Sequence, residues 1–82
     1  MASYFYILKC KDGTLYCGSA KDLADREQKH NSGKGSAYVR SRGGGKIVYS
    51  EKFRSWGKTL SREAEVKKLP RDKKIELIKS KA

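Results

Sequence analysis

The sequence predicts an α+β fold: a small three-stranded antiparallel sheet flanked by helices, in the order ββα(α)βαα. Three observations carry that prediction. Residues 3–10, SYFYILKC, are rich in aromatic and β-branched side chains and read as a strand. The turn KDG follows at once and leads into a second such run, TLYCG, which is the pattern of a hairpin. A third strand-like run, KIVYSEKF, then stands between stretches that carry helix caps and stops. A sheet with helices packed on it is the layered arrangement that buries such a set.

Each element has its own grounds. In residues 3–10 both alternating sets are apolar (Tyr4, Tyr6, Leu8, Cys10 and Phe5, Ile7), so this strand is expected to be covered on both faces. The turn admits two geometries. A two-residue Asp12-Gly13 turn makes Tyr6 and Tyr16 face opposite ways. A three-residue Lys11-Asp12-Gly13 loop with a left-handed Gly13 sets Tyr16 across from Leu8 and Tyr6 across from Gly18. The two tyrosines are then diagonal neighbours, roughly 7–8 Å apart at the backbone. A shared role for them favours the second geometry.

A helix is predicted from Lys21 or Asp22, capped by Ser19 or Asp22 and ending by Asn31-Ser32-Gly33. SGKGS is a loop, AYVRSR (37–42) a short helix, and Gly43 to Gly45 a joint. The third strand spans 46–53, with Ile47, Tyr49 and Phe53 on one side. RSWGK reads as a loop. Thr59 or Ser61 then caps a helix to Leu69 that turns Leu60, Ala64 and Val66 inward. Pro70 ends it and opens the next helix at a position where a missing N–H costs nothing. Residues 71–79 are expected to bury Ile75 and Ile78 beside Leu77, and residues 80–82 to fray.

The 82 residues fit one domain, 1–82, whose folding buries only roughly 60–65% of the chain's surface, so the core must be compact. Twenty Lys and Arg against nine Asp and Glu give a net charge of +11, spread along the chain. Such a field favours polyanions. Nucleic acid is the leading partner, ahead of a merely Lys-rich solvated surface and of an anionic membrane. No apolar run approaches the length of about 18 residues that a spanning helix needs, so no membrane role is expected. MASYFYILKCKDG has no cleavage pattern, so no leader is expected. Cys10 and Cys17 lack metal-ligand spacing and fall on opposite faces of one hairpin, which prevents bridging. A cytoplasmic, intracellular setting with reduced thiols is the expectation.

The first helix is unusual. After Leu23 and Ala24 the run LADREQKH has almost nothing apolar, yet it sets Arg26 and His30 one turn apart. Each candidate has an ordinary reading. Strand tyrosines pack, Arg26 can pair with Asp22 on the surface, and His30 can end a helix. Glu63, in SREAEVKKL, is a sound charge near a helix start. Tyr49 and Trp56 serve a core or a stacking surface for bases. The joint pattern points elsewhere.

Taken in order, these residues resemble the GIY-YIG nuclease domain family in its small stand-alone form, over nearly the whole chain. YFYIL stands at the GIY element, so Tyr6 matches its tyrosine. LYCGSA stands at the YIG element, with Tyr16 and Gly18. DLADREQKH matches the helix bearing the family's arginine, Arg26, and a frequent histidine, His30. HNSGKGSAYVRSRGGGKIVYSEKF is similar to the short subfamily's link to the third strand, and SREAEVKKLPRDKK matches the segment with its metal-binding glutamate, Glu63. Tyr4 replaces the first glycine of GIY, Cys17 the aliphatic residue of YIG, and Ser19 a lysine found in some relatives.

The resemblance implies metal-dependent hydrolysis of a phosphodiester. Arg26 would hold two phosphate oxygens through its planar fork. Glu63 would be the hard oxygen ligand of a single Mg²⁺ or Mn²⁺; Glu65, the competing ligand, lies about 200° around the helix. Of the two tyrosines, Tyr6 is favoured as the base for the attacking water and Tyr16 as a phosphate or water ligand. An ordinary tyrosine titrates near 10, so this role asks for a neighbouring cation, and Arg26 is the candidate. His30 would assist proton transfer. Lys34, Arg40, Arg42, Lys46 and the Lys-rich C-terminal helices would track the backbone without reading sequence.

The expected function is therefore a DNA endonuclease of low sequence specificity in repair or recombination, acting on branched, nicked or single-stranded DNA. RNA is the other polymer the charge would accept, and a protein partner the source of any specificity. The alternative is a non-catalytic DNA- or RNA-binding module of the same fold. The intact set Tyr6, Tyr16, Arg26 and Glu63 favours the enzyme.

Overall fold

The computed structural model describes residues 2–81. Strand β1 (Ser3–Cys10) and strand β2 (Leu15–Ala20) form the hairpin. The three-residue loop is the one that closes it. Gly13 sits at φ 88°, in the region that suits glycine. The Cys10 N–H bonds the Thr14 carbonyl at 2.8 Å and the Gly13 N–H bonds the Cys10 carbonyl at 2.9 Å. Leu8 consequently pairs with Tyr16, and Tyr6 with Gly18.

Helices α1 (Leu23–Asn31) and α2 (Ala37–Ser41), strand β3 (Gly45–Phe53), and helices α3 (Trp56–Lys67) and α4 (Arg71–Lys79) complete the order ββααβαα. The sheet runs β2-β1-β3 with both pairs antiparallel. The central position of β1 explains its two apolar faces. Phe5, Ile7, Cys17, Tyr49 and Val66 form one core with Leu69, Leu77 and Ile78 against it, on the α3/α4 side. Tyr6, Leu8, Cys10, Ala20 and Val39 form the other, with Tyr16, Leu23 and Ile47. Cys10 and Cys17 are buried in separate cores and free.

Three local expectations are corrected. The α3 helix starts at Trp56, not near Thr59 or Ser61, because Ser55 is the cap: its Oγ accepts the Lys58 N–H at 3.2 Å. Thr59 instead faces inward and shares a 2.6 Å hydrogen bond with Ser3. The face turned inward is the one that carries Thr59 and Val66, seven residues apart and both buried, while Leu60 and Ala64 are exposed. Glu63 thus lies inside the helix rather than in its first turn. In β3 the register shifts opposite Ile7 and Leu8, which pair with Tyr49 and Ile47 and leave Val48 as a bulge. Ile47 therefore joins the α1/α2 core while Tyr49 and Phe53 join the other. In α4, Ile75, Leu77 and Ile78 are only half-buried. Of the tail expected to fray, the Ser80 N–H bonds the Glu76 carbonyl at 3.0 Å, and residue 82 lies outside the described residues. Among the described residues no helix is long and apolar enough to cross a membrane.

The polar helix α1 is seated without an apolar stripe. Its Asp22 cap accepts the Asp25 N–H at 2.9 Å. Glu27 and Asn31, at i and i+4, turn to β3. The Glu27 carboxylate accepts the Ile47 N–H at 2.8 Å. The Asn31 carboxamide accepts the Gly45 N–H and donates to the Gly45 carbonyl, both at 2.9 Å. These bonds replace part of the burial that other helices use, and they leave Arg26 and His30, one position back, to face the tyrosines.

Candidate active site

The site starts from the register of the hairpin. Tyr6 and Tyr16 share the α1/α2 face of the sheet with ring centroids 6.5 Å apart. Tyr6 lies over Gly18, where any Cβ would fall into the phenol. From α1, His30 closes the cluster: its ring is 5.4 Å from Tyr16, and its Nε2 is 2.9 Å from the Tyr6 hydroxyl. His30 Nδ1 accepts the Ser36 N–H at 3.4 Å, so Nε2 carries the hydrogen and donates it to the Tyr6 oxygen.

Electrostatics here are set mainly by burial. The Tyr6 phenol is pushed up to about 12 by desolvation, with Tyr16 and Glu63 adding to the rise. The nearby charge of Arg26 opposes this but does not prevail. The expectation that Arg26 brings Tyr6 below its ordinary value is thus corrected: a buried phenol loses more solvation on ionising than one partly exposed guanidinium returns. Burial, with Arg26 second, holds His30 below the usual imidazole range, so it is neutral near pH 7.

Glu63 reaches the site from the other layer. Ser19, on β2, donates its hydroxyl to Glu63 Oε1 at 2.5 Å, and Lys67 pairs with Oε2 at 2.8 Å. Glu65 turns away, exposed and paired with Arg62, whose guanidinium also clamps Glu51. Beside Arg26 a cleft of about 330 Å³ opens between Ala20, Lys21, Asp22, Asp25 and Trp56. Trp56 is exposed there, with the Lys21 ammonium 5.8 Å from its ring.

This arrangement sits on a chain whose residues 2–76 match the family model described as the GIY-YIG catalytic domain. The chain belongs to the GIY-YIG family. It is 48% identical over 75 residues to a UPF0213 protein of Staphylococcus saprophyticus, covering 92% of each chain. It is also 48% identical over 80 residues to one from Clostridium perfringens, covering 98% of this chain and 86% of that one. A UPF0213 protein of Bacillus halodurans, solved by solution NMR, superposes with a TM-score of 0.63 at 44% identity, covering 99% of this chain and 86% of that one. The small α+β fold read from the sequence is that of this family. A GIY-YIG domain implies a nuclease and a nucleic-acid substrate.

Tyr6, Tyr16 and His30 pack together on one face, and Arg26 and Glu63 lie near enough for their charges to act on the Tyr6 phenol. The expected backbone-tracking residues do not all join them. Lys34 and Arg40 are exposed. Arg42 stacks on Tyr38, 3.7 Å from its ring, and pairs with Asp12 at 3.4 Å. Lys46 stands across from Lys9 on the face opposite the tyrosines. Tyr38, half-exposed and 5.7 Å from Tyr16, extends the aromatic row and was not singled out from sequence. Nor were the contacts of Ser19 and Lys67 to Glu63, although the i,i+4 Glu63–Lys67 spacing was a readable signal for the second.

Proposed function

We propose that this GIY-YIG protein is a divalent-metal-dependent DNA endonuclease of low sequence specificity, serving repair or recombination. The observation that supports it best is the convergence of Tyr6, Tyr16, Arg26 and His30 on one face with a carboxylate, Glu63, held by Ser19 at its edge. Among the described residues no three His, Cys, Asp or Glu side chains gather as a metal cage. One carboxylate beside hydroxyls fits an ion that keeps its waters and takes substrate oxygens, Mg²⁺ or Mn²⁺, and not a structural zinc site. Glu63 would hold it. When bound, it supplies positive charge to the phosphoryl and leaving oxygens.

The chain's own groups do the rest. Arg26 grips two phosphate oxygens and keeps its charge throughout. Tyr6 is the base, and its ionised oxygen keeps the hydrogen bond from His30 Nε2–H. His30 is therefore a positioning residue: it orients the phenol and stabilises the phenolate while staying neutral. Tyr16 orients the phosphate or the water. The +11 body and the exposed Lys34 and Arg40 hold the strand without reading it.

The raised Tyr6 value gives a pH signature. With a value of about 12, only about one phenol in 10⁵ is ionised at pH 7, and that fraction grows tenfold per unit. Nicking rates measured from about pH 7 to 9 are expected to climb about a hundredfold. A flat profile in single-turnover assays would remove Tyr6 from the role of base.

The function itself is tested by incubating supercoiled plasmid and branched DNA with Mg²⁺, Mn²⁺ or chelator while following binding in parallel. Nicking that needs the ion, with binding that survives chelation, is the expected result. Tight binding without nicking under every metal would replace the enzyme by the non-catalytic binding module.

A further inference from the structure

Glu63 is already engaged on both of its oxygens. Ser19, buried on β2, fixes Oε1, and Lys67 sits on Oε2 at 2.8 Å. The Glu63–Lys67 pair has the favourable order, glutamate four residues before lysine. Lys67 also belongs to the last turn of α3, where the helix dipole favours a cation. Its side chain is half-exposed and free to swing, whereas that of Glu63 is largely covered. Its ammonium also lies near enough to Tyr16 to feel that phenol. A small cation therefore occupies an oxygen that a divalent ion on Glu63 would use.

We infer that Lys67 is a built-in counter-cation that competes with the divalent ion for Glu63, so that the protein loads metal weakly until nucleic acid draws Lys67 away. The inference rests on the reading of Glu63 as the metal ligand. Lys67 is a positioning residue in this scheme: it neutralises Glu63 in the free protein and turns to a phosphate oxygen when DNA is bound. Metal and DNA then favour each other's binding by one common factor, as linkage requires. A half-exposed pair of this kind shifts affinity by about two- to fivefold.

The test measures Mn²⁺ binding to the free protein by the loss of the free-ion electron-spin-resonance signal, in wild type, Lys67→Met, Lys67→Arg and Glu63→Gln. Lys67→Met should bind Mn²⁺ about two- to fivefold more tightly, and Lys67→Arg should stay near wild type. Fluorescence anisotropy of a short DNA duplex, in a Tyr6→Phe background that keeps the DNA intact, should show Mn²⁺ tightening DNA less in Lys67→Met than in the parent. Unchanged Mn²⁺ affinity in Lys67→Met, with Glu63→Gln unable to bind the ion, would overturn the inference and leave the ligand assignment standing. Undiminished Mn²⁺ binding in Glu63→Gln would overturn the assignment and the inference together. Lys67 lies on an exposed stretch of helix and methionine is a good helix former, so the variant is expected to fold.

Discussion

Glu63→Gln is expected to abolish nicking, by a factor of at least about 10³, while leaving DNA affinity measured in chelator within about twofold. The amide matches the carboxylate in shape and keeps an oxygen for the Ser19 hydroxyl at Oε1. It loses the charge that pairs with Lys67 and the hard anionic oxygen proposed to hold the ion. Helix α3 loses one i,i+4 ion pair, worth about 0.3–0.5 kcal/mol, so the fold should survive. Measured in chelator, where no divalent ion couples to the DNA, binding has no reason to weaken, since removing a carboxylate reduces repulsion of phosphates. Parallel gel assays of nicking and binding on identically purified proteins decide it. Equal cleavage by both would trace the activity to a contaminant, and equal loss of binding would place Glu63 in the fold rather than the chemistry.

The second large effect falls on a residue with no functional group. In Gly18→Ala the new methyl would occupy the space of the Tyr6 hydroxyl and ring edge. Tyr6 is fully buried between Tyr16 and His30 and has no free direction in which to move. Overpacking of this kind costs up to about 3 kcal/mol, which lowers the melting temperature of a domain this small by roughly 10–20 °C. Activity should fall at least about a hundredfold even where the variant is folded, because the phenol can no longer keep its place against His30. Calorimetry and a nicking assay below the variant's melting point test both parts. A variant that melts within a few degrees of wild type would show that the ring yields easily and that the position tolerates a side chain.

Much of this was legible because it followed from local rules. Two apolar sets in SYFYILKC require a strand covered on both faces, and β1 is central. Gly13 in KDG permits the left-handed loop that brings Tyr6 and Tyr16 to one face. What was missed depends on competition between near-equal local choices or on contacts distant in sequence. Ser55, Thr59 and Ser61 are all good caps, and the buried Ser3–Thr59 bond favours the first. The bulge at Val48 breaks a period that two correctly read residues seemed to establish. Of the candidate site, Tyr6, Tyr16, Arg26, His30 and Glu63 were singled out by resemblance, but their electrostatics were not legible. The rise at Tyr6 comes from burial by α1, and the hold on Glu63 from a serine 44 residues away in sequence.

The bonds that seat α1 on β3 also bear on how copies of this molecule meet. An outermost strand with open N–H and C=O groups is a template onto which another chain can add. Here Asn31 and Glu27 already occupy the Gly45 and Ile47 groups, so the strand is closed at the end nearest the helix. Beyond contact range, the +11 charge makes two copies repel. At that end the edge of β3 is therefore a poor template for strand addition by a second copy, and the charge keeps free copies apart.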